Sequence, residues 1–230
     1  MTIRVLSARA PQMALAALFA DFAATGDRVR ADYGTVGAIS DRFKSGEAAD
    51  LLILSPSALA ALGDALVPGS ASDIARAGLA VCVRQGAPMP DLATPESFTA
   101  ALVAARCVSY SDPTAGGSAA AYFAKLLERL GIAQAVNAKA ALGRNGHHVA
   151  ELVADGTAEL GISFLSELVA IKGVTIAGPL PAALQSYTVY AAAIPAASTA
   201  REEARALIAW LTRVDSDAVW RAAGLEPMHS

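Results

Sequence analysis

The sequence predicts an α/β protein with a largely parallel sheet. Short runs of β-branched and large apolar residues alternate with longer stretches of helical period along the chain. Of 230 residues, 54% are hydrophobic and 17% charged, a balance that excludes a disordered chain. Alanine accounts for 55 of them. It favours helix but offers little area to bury, so the apolar fraction overstates the core.

Ile3 to Leu6 reads as the first strand. A helix follows Pro11, with Leu15, Leu18, Phe19 and Phe22 on one face. Proline suits that start because its missing N–H would be unpaired there anyway. Val29 to Tyr33 is a strand, and the loop Gly34 to Gly37 leads into a helix carrying Ile39 and Phe43 that Gly46 ends. Leu51 to Leu54 is apolar throughout, as in a strand buried on both faces. Ser55 or Ser57 caps a helix with Leu59 and Leu62. Leu79 to Arg84 is a longer strand, and the polar, proline-bearing stretch Gln85 to Glu96 breaks the pattern. A strand at Val108 to Tyr110 and the loop Ser111 to Ser118 precede a helix with Phe123, Leu126, Leu127 and Leu130, which stops at Gly131. A short helix near Val149 to Val153, a strand at Leu160 to Ser163 and another at Val174 to Ala177, ended by Gly178-Pro179, come next. Tyr187 to Ala193 is a strand, and the last helix presents Ala204, Leu207, Ile208 and Leu211.

The breaks near 84–90 and 184–188 bracket a middle portion of ordinary domain size. The expected organisation is a first lobe of residues 1–84 plus 187–230 and an inserted second lobe of residues 85–186. One large open sheet is the competing layout.

The formal net charge is −3 with both signs interspersed, unlike the basic footprint of a nucleic-acid binder. No apolar run reaches the length of a spanning helix; Asp21 stops the one from Ala14 to Ala20. Arg4 and Arg9 interrupt the N-terminal apolar run, so no signal peptide is legible. The expected location is cytoplasmic as encoded, and periplasmic if the N-terminus was trimmed. Cys82 and Cys107 sit in apolar runs without histidine neighbours at zinc spacing and read as core thiols, so no metal or cofactor is expected.

The order of motifs resembles the molybdate-type periplasmic binding proteins. The opening strand with its small-residue loop Ser7 to Ala10 carries part of the likeness, and YGTVGAISDRFKSGEAADLLILS (Tyr33 to Ser55), with its Ala49-Asp50 pair, carries more. YSDPTAGGSAAAYFAKLLERLGI (Tyr110 to Ile132), ELVADGTAELGISFLSEL (Glu151 to Leu168) and PLPAALQSYTVYAAAI (Pro179 to Ile194) follow in the family's order. The resemblance implies the two-lobed type II periplasmic-binding-protein fold with a ligand cleft between lobes, and capture of a small anion for an ABC permease. Three positions depart from the family's oxyanion contacts. Ala10 and Val36 stand where serines are expected, and Phe164 where a tyrosine is expected. Arginines appear instead at Arg9 and Arg144. Some relatives in this wider group look like isomerases of small unsaturated polycarboxylates such as aconitate.

Each implied contact loop precedes a helix, whose unpaired N–H groups and partial positive charge attract anions. The expected ligand contacts are Ser7, Arg9, Thr35, Thr114, Gly116, Gly117, Ser118, Arg144 and Ser163. Glycines allow close backbone approach, although they also suit any tight turn. Arg9 and Arg144 discriminate ligands, because a guanidinium forks onto a carboxylate; a loop arginine is otherwise a solvated charge. His147, beside His148, is a candidate for proton transfer, as are Asp112, Glu167 and Tyr110. A loop histidine is more often structural. Asp50 is expected to support the first lobe's loop without touching ligand. The primary expectation is a solute-binding protein for a small carboxylate, or an oxyanion such as molybdate. The alternative is an isomerase of a di- or tricarboxylate. A ligand sensor is a third class, but no helix-turn-helix is visible.

Overall fold

The computed structural model describes residues 2–24, 26–115 and 117–229. The chain forms two compact units, Met1–Ala77 with Thr188–Ser230, and Gly78–Tyr187. In order, the elements are β1 (Thr2–Ala8), α1 (Gln12–Ala23), β2 (Arg28–Gly34), α2 (Val36–Lys44), β3 (Leu51–Leu54), α3 (Pro56–Ala60) and β4 (Ser72–Arg84), which carries the chain into the second unit. There follow α4 (Pro95–Ala104), β5 (Val108–Ser111), α5 (Ser118–Arg129), α6 (Ala133–Asn137), β6 (Ala140–Gly143), α7 (Gly146–Ala154), β7 (Leu160–Phe164), α8 (Leu165–Leu168) and β8 (Val174–Pro179). The chain returns through β9 (Tyr187–Ala193) to α9 (Arg201–Thr212), α10 (Asp217–Ala222) and β10 (Glu226–Pro227).

In the first unit β1 is flanked by two parallel partners, with Val5 opposite Ala31 of β2 and Leu51 of β3. β9 runs antiparallel to β3, and β10 antiparallel to β4. All four residues of β3 are fully buried, as their unbroken apolar run requires. The predicted face of α1 is the buried one: Leu15, Leu18, Phe19 and Phe22. Each such leucine contributes roughly 1.5–3 kcal/mol by burial, and Leu52→Ala would cost about 2–5 kcal/mol. Phe22 meets Trp210 edge-on, with centroids 5.6 Å apart. Trp220 is fully buried and donates its Nε1–H to the Leu211 carbonyl at 2.9 Å.

Asp50 ties this unit together. Its carboxylate accepts from the Arg4 backbone N–H and Nε, both at 3.0 Å, from Arg4 Nη2 at 3.3 Å and from Ser198 Oγ at 3.1 Å. Its own N–H donates to the Arg4 carbonyl at 2.7 Å. Burial alone would push this carboxyl up. The hydrogen bonds from Arg4 and Ser198, with the Arg4 charge, outweigh burial and hold it below the ordinary carboxylate value.

In the second unit β5 lies between parallel β6 and β7, with Tyr110 opposite Leu142 and Ile162. β4 runs antiparallel to β7 and β8, with an irregularity at Val81/Cys82. Gly161 on β7 lets α7 approach closely, because a Cβ there would lie 2.7 Å from Val153 and 2.8 Å from the Cys82 sulfur.

Four local expectations are revised. β4 begins at Ser72, well before Leu79. The stretch read as a break ends in the start of α4, whose Thr94 and Ser97 form a reciprocal capping box with Pro95 at the helix start. β8 continues through Gly178-Pro179. Cys82 is buried, but Cys107 is only half-buried.

Candidate functional site

In a parallel sheet the loops beyond the carboxyl ends of the strands are where helix N-termini gather and ligands bind. In the first unit these loops follow β1, β2 and β3. Ser7 is fully buried near the end of β1, and its hydroxyl donates to the Ala8 carbonyl at 2.9 Å. Arg9 follows, half-buried, and its carbonyl accepts from the Gln12 N–H at 2.9 Å as α1 begins. Among the described residues no acid pairs with the Arg9 guanidinium. Thr35 caps α2, its Oγ1 accepting from the Ala38 N–H at 3.2 Å. Ser55 caps α3 in the same way, at 3.4 Å from Ala58 N. Tyr33, opposite Ser7 in the sheet register, is a neutral phenol that burial pushes up to about 12.

In the second unit the corresponding loops follow β5, β6 and β7. After β5, Asp112 accepts from the Thr114 N–H at 2.8 Å and from its hydroxyl at 2.7 Å. These bonds hold the Asp112 carboxyl below its ordinary value, so it is a weak base. Gly117 is the N-cap of α5 and Ser118 its first residue. Gly116 lies outside the described residues. Tyr110 points elsewhere: its hydroxyl donates to Asn137 Oδ1 at 2.7 Å, and burial with the nearby Asp112 charge raises its pKa.

After β6, Arg144 is exposed, and its backbone N–H donates to His148 Nδ1 at 3.1 Å. A ring nitrogen that accepts is unprotonated, so neutral His148 carries its proton on Nε2. Asn145 caps α7, its Oδ1 accepting from the His148 N–H at 3.0 Å. His147 is half-buried beside it. At the end of β7, Ser163 is 1% exposed and donates its hydroxyl to Glu167 Oε2 at 2.8 Å; Glu167 itself is 9% exposed. Both lie against the first residue of α7, where a methyl group on Gly146 would overlap Glu167 Oε2 and Ser163 Oγ.

The second unit thus brings Ser163, Glu167 and the Arg144–His148 segment into one cluster, while Thr114 and Asp112 engage each other. Ser163, Glu167 and Arg144 are legible as separate candidates in the sequence. The seat that Gly146 provides is not, although Asn-Gly before a helical run signals the cap. A groove of about 820 Å³ lined by Val83, Met89, Ala101, Ala105 and Leu160 lies where β5 and β7 begin, away from these loops. Among the described residues no three His, Cys, Asp or Glu side chains are placed to hold a metal ion, and no helix is long and apolar enough to cross a membrane.

This architecture is the type II periplasmic-binding-protein fold. A domain described as the substrate-binding part of a molybdenum ABC transporter from Clostridium difficile superposes with a TM-score of 0.81 at 15% identity, over 99% of each chain. The periplasmic molybdate-binding protein of Azotobacter vinelandii does so with a TM-score of 0.78 at 21% identity, over 97% of this chain and 98% of the other. Residues 3–226 match the model of the bacterial extracellular solute-binding proteins, and the chain belongs to that family. An aconitate isomerase from a Pseudomonas species is 34% identical over 197 residues, which are 84% of this chain and 73% of that protein.

Proposed function

We propose that the protein binds a small organic anion bearing carboxylates in preference to a tetrahedral metal oxyanion. The observation that carries this reading is Arg9, half-buried after β1 with no acidic partner among the described residues. A half-buried guanidinium favours an anionic partner, and its planar fork matches a carboxylate. The first unit supplies further donors at the α2 N-terminus behind Thr35. Ala10, Val36 and Phe164 offer no hydroxyl. In a transport role the partner is an ABC permease. The location is periplasmic where a leader is removed and cytoplasmic otherwise, which cell fractionation distinguishes. A thermal-shift screen tests the ligand class, because a ligand that binds only the folded state raises Tm. Citrate and trans-aconitate should raise it and molybdate should not; the reverse pattern overturns the proposal.

A second reading is favoured by the 34% identity to an aconitate isomerase. In it the same site moves a proton along an unsaturated tricarboxylate. A base takes a proton from the methylene carbon, the electron pair shifts along the allylic frame, and the proton returns to the far carbon, so no atom is gained or lost. Glu167 and His147 are the bases left for this step, since Asp112 is held low and Tyr110 is raised and engaged. Proton NMR of trans-aconitate with the protein in D2O should show the cis isomer with deuterium incorporated. An unchanged spectrum leaves binding alone.

A further inference from the structure

We propose that the groove where β5 and β7 begin binds a small amphipathic carboxylate, an aromatic ring or short alkyl chain carrying one anionic group. The groove is built wholly from the second unit, and its volume of about 820 Å³ suits a small molecule, whose pockets span roughly 300–1,000 Å³. Its floor is apolar: Val83 of β4 is 2% exposed and Leu160 of β7 is 7% exposed. One wall is α4. That helix buries Phe98 and Leu102, and it turns Ala101 and Ala104 to the groove, where larger side chains would fill the space. Met89 stands at the lip, 55% exposed between Pro88 and Pro90. An unbranched thioether adapts its shape to what it covers, and an exposed apolar side chain beside an apolar floor marks a surface fitted to a ligand.

The charged groups of the lining select the head group. Arg106 and Glu159 pair with each other, and Asp91 accepts from the Ala93 N–H at 2.9 Å. Arg84, the last residue of β4, forms no ion pair with an acid among the described residues. The Asp155 carboxyl is held below its ordinary value first by Thr157, whose N–H donates to it at 2.8 Å, and only last by the Arg84 charge. A guanidinium beside an apolar floor matches a ligand that lays its hydrocarbon on Val83 and Leu160 and its carboxylate on Arg84. This site is independent of the function proposed above, which rests on Arg9 in the first unit.

The test is calorimetric titration of the full chain with sodium 4-phenylbutyrate and with its neutral analogue 4-phenylbutanol, in wild type, Ala101→Phe, Arg84→Gln and Arg9→Ala. Wild type should bind one phenylbutyrate, and phenylbutanol about three- to fivefold more weakly, as expected for an exposed charge pair. Ala101→Phe fills the groove and should weaken both ligands about tenfold or more through lost apolar contact. Should Ala101→Phe fold poorly by circular dichroism, Ala104→Phe fills the groove from an exposed position. Arg84→Gln should erase the difference between acid and alcohol, and Arg9→Ala should change neither affinity. No saturable binding in wild type overturns the inference, as do equal affinities for acid and alcohol or binding that survives a folded groove-filling variant. Loss of phenylbutyrate binding in Arg9→Ala also overturns it, because the ligand would then occupy the first unit's site. Failure of wild type to bind citrate or trans-aconitate would sink the functional proposal separately.

Discussion

Asp50 in the first unit and Glu167 in the second are both buried carboxylates near strand ends, and they are held in different ways. Asp50 is enclosed by Arg4 and Ser198, four donor contacts that join β1, the start of β3 and a segment 148 residues away in sequence. Glu167 is held by a serine four residues back and set against the start of a helix. Asp50 is neutralised by a cation of the chain, so its charge serves the fold. Glu167 lies among the loops that follow β5, β6 and β7, with Ser163 donating to it and the start of α7 against it. Two buried acids in similar places at strand ends are thus set by different neighbours, one by a distant cation and serine, the other by a local serine and a close helix start.

The largest expected effect lies outside both carboxylates, at Arg9, which pairs with no acid among the described residues. Arg9→Ala should lose about 2–5 kcal/mol of carboxylate affinity, the range for truncating one member of a buried charge pair. Calorimetry should show that loss with only partial recovery in Arg9→Lys, because an ammonium lacks the planar fork. Next is Gly146→Ala, whose methyl group would displace the Glu167 carboxylate. It should lower stability by about 1–3 kcal/mol or more in urea unfolding. Asp50→Asn should cost about 1–3 kcal/mol through donors left imperfectly matched. Its pH dependence follows from the lowered folded-state pKa. The stabilisation is fully present above the unfolded-state value of about 3.9 and is lost as pH falls through the folded value. The difference between wild type and Asp50→Asn should therefore shrink in unfolding experiments at and below about pH 4. The smallest effect is expected at Gly37 in α2, where a Cβ would meet nothing within 4 Å. Gly37→Ala should be neutral or stabilising by up to about 1 kcal/mol, in contrast to the same substitution at 146.

Elements whose signal is local were legible in the sequence. Leu51–Leu54 reads as a strand because four large apolar residues stand between turn signals, and the stripe of α1 is set by helical spacing. Ser55 is recognisable as a cap from its place before Pro56. The start of β4 was obscured by Asp73, Arg76 and Gly78, which sheet pairing overrides. β6 is Ala-Ala-Leu-Gly, with no β-branched residue to betray it. α4 hides behind Pro88, Pro90 and Pro95, although Thr94 and Pro95 are a helix start and Phe98 and Leu102 its buried face. At the site, Ser163, Glu167 and Arg144 could be named singly. Their assembly depends on the tertiary approach of α7 to β7, and no spacing in the sequence encodes the Gly146 seat. The Asp112–Thr114 pairing, by contrast, is a two-residue turn that Asp-Pro-Thr could have announced.

The most direct test of the carboxylate preference is calorimetric titration of one wild-type preparation with trans-aconitate and with molybdate in the same buffer. The predicted result is a saturable heat with the tricarboxylate and none with molybdate. Sub-micromolar molybdate binding with no response to the tricarboxylate would contradict the account.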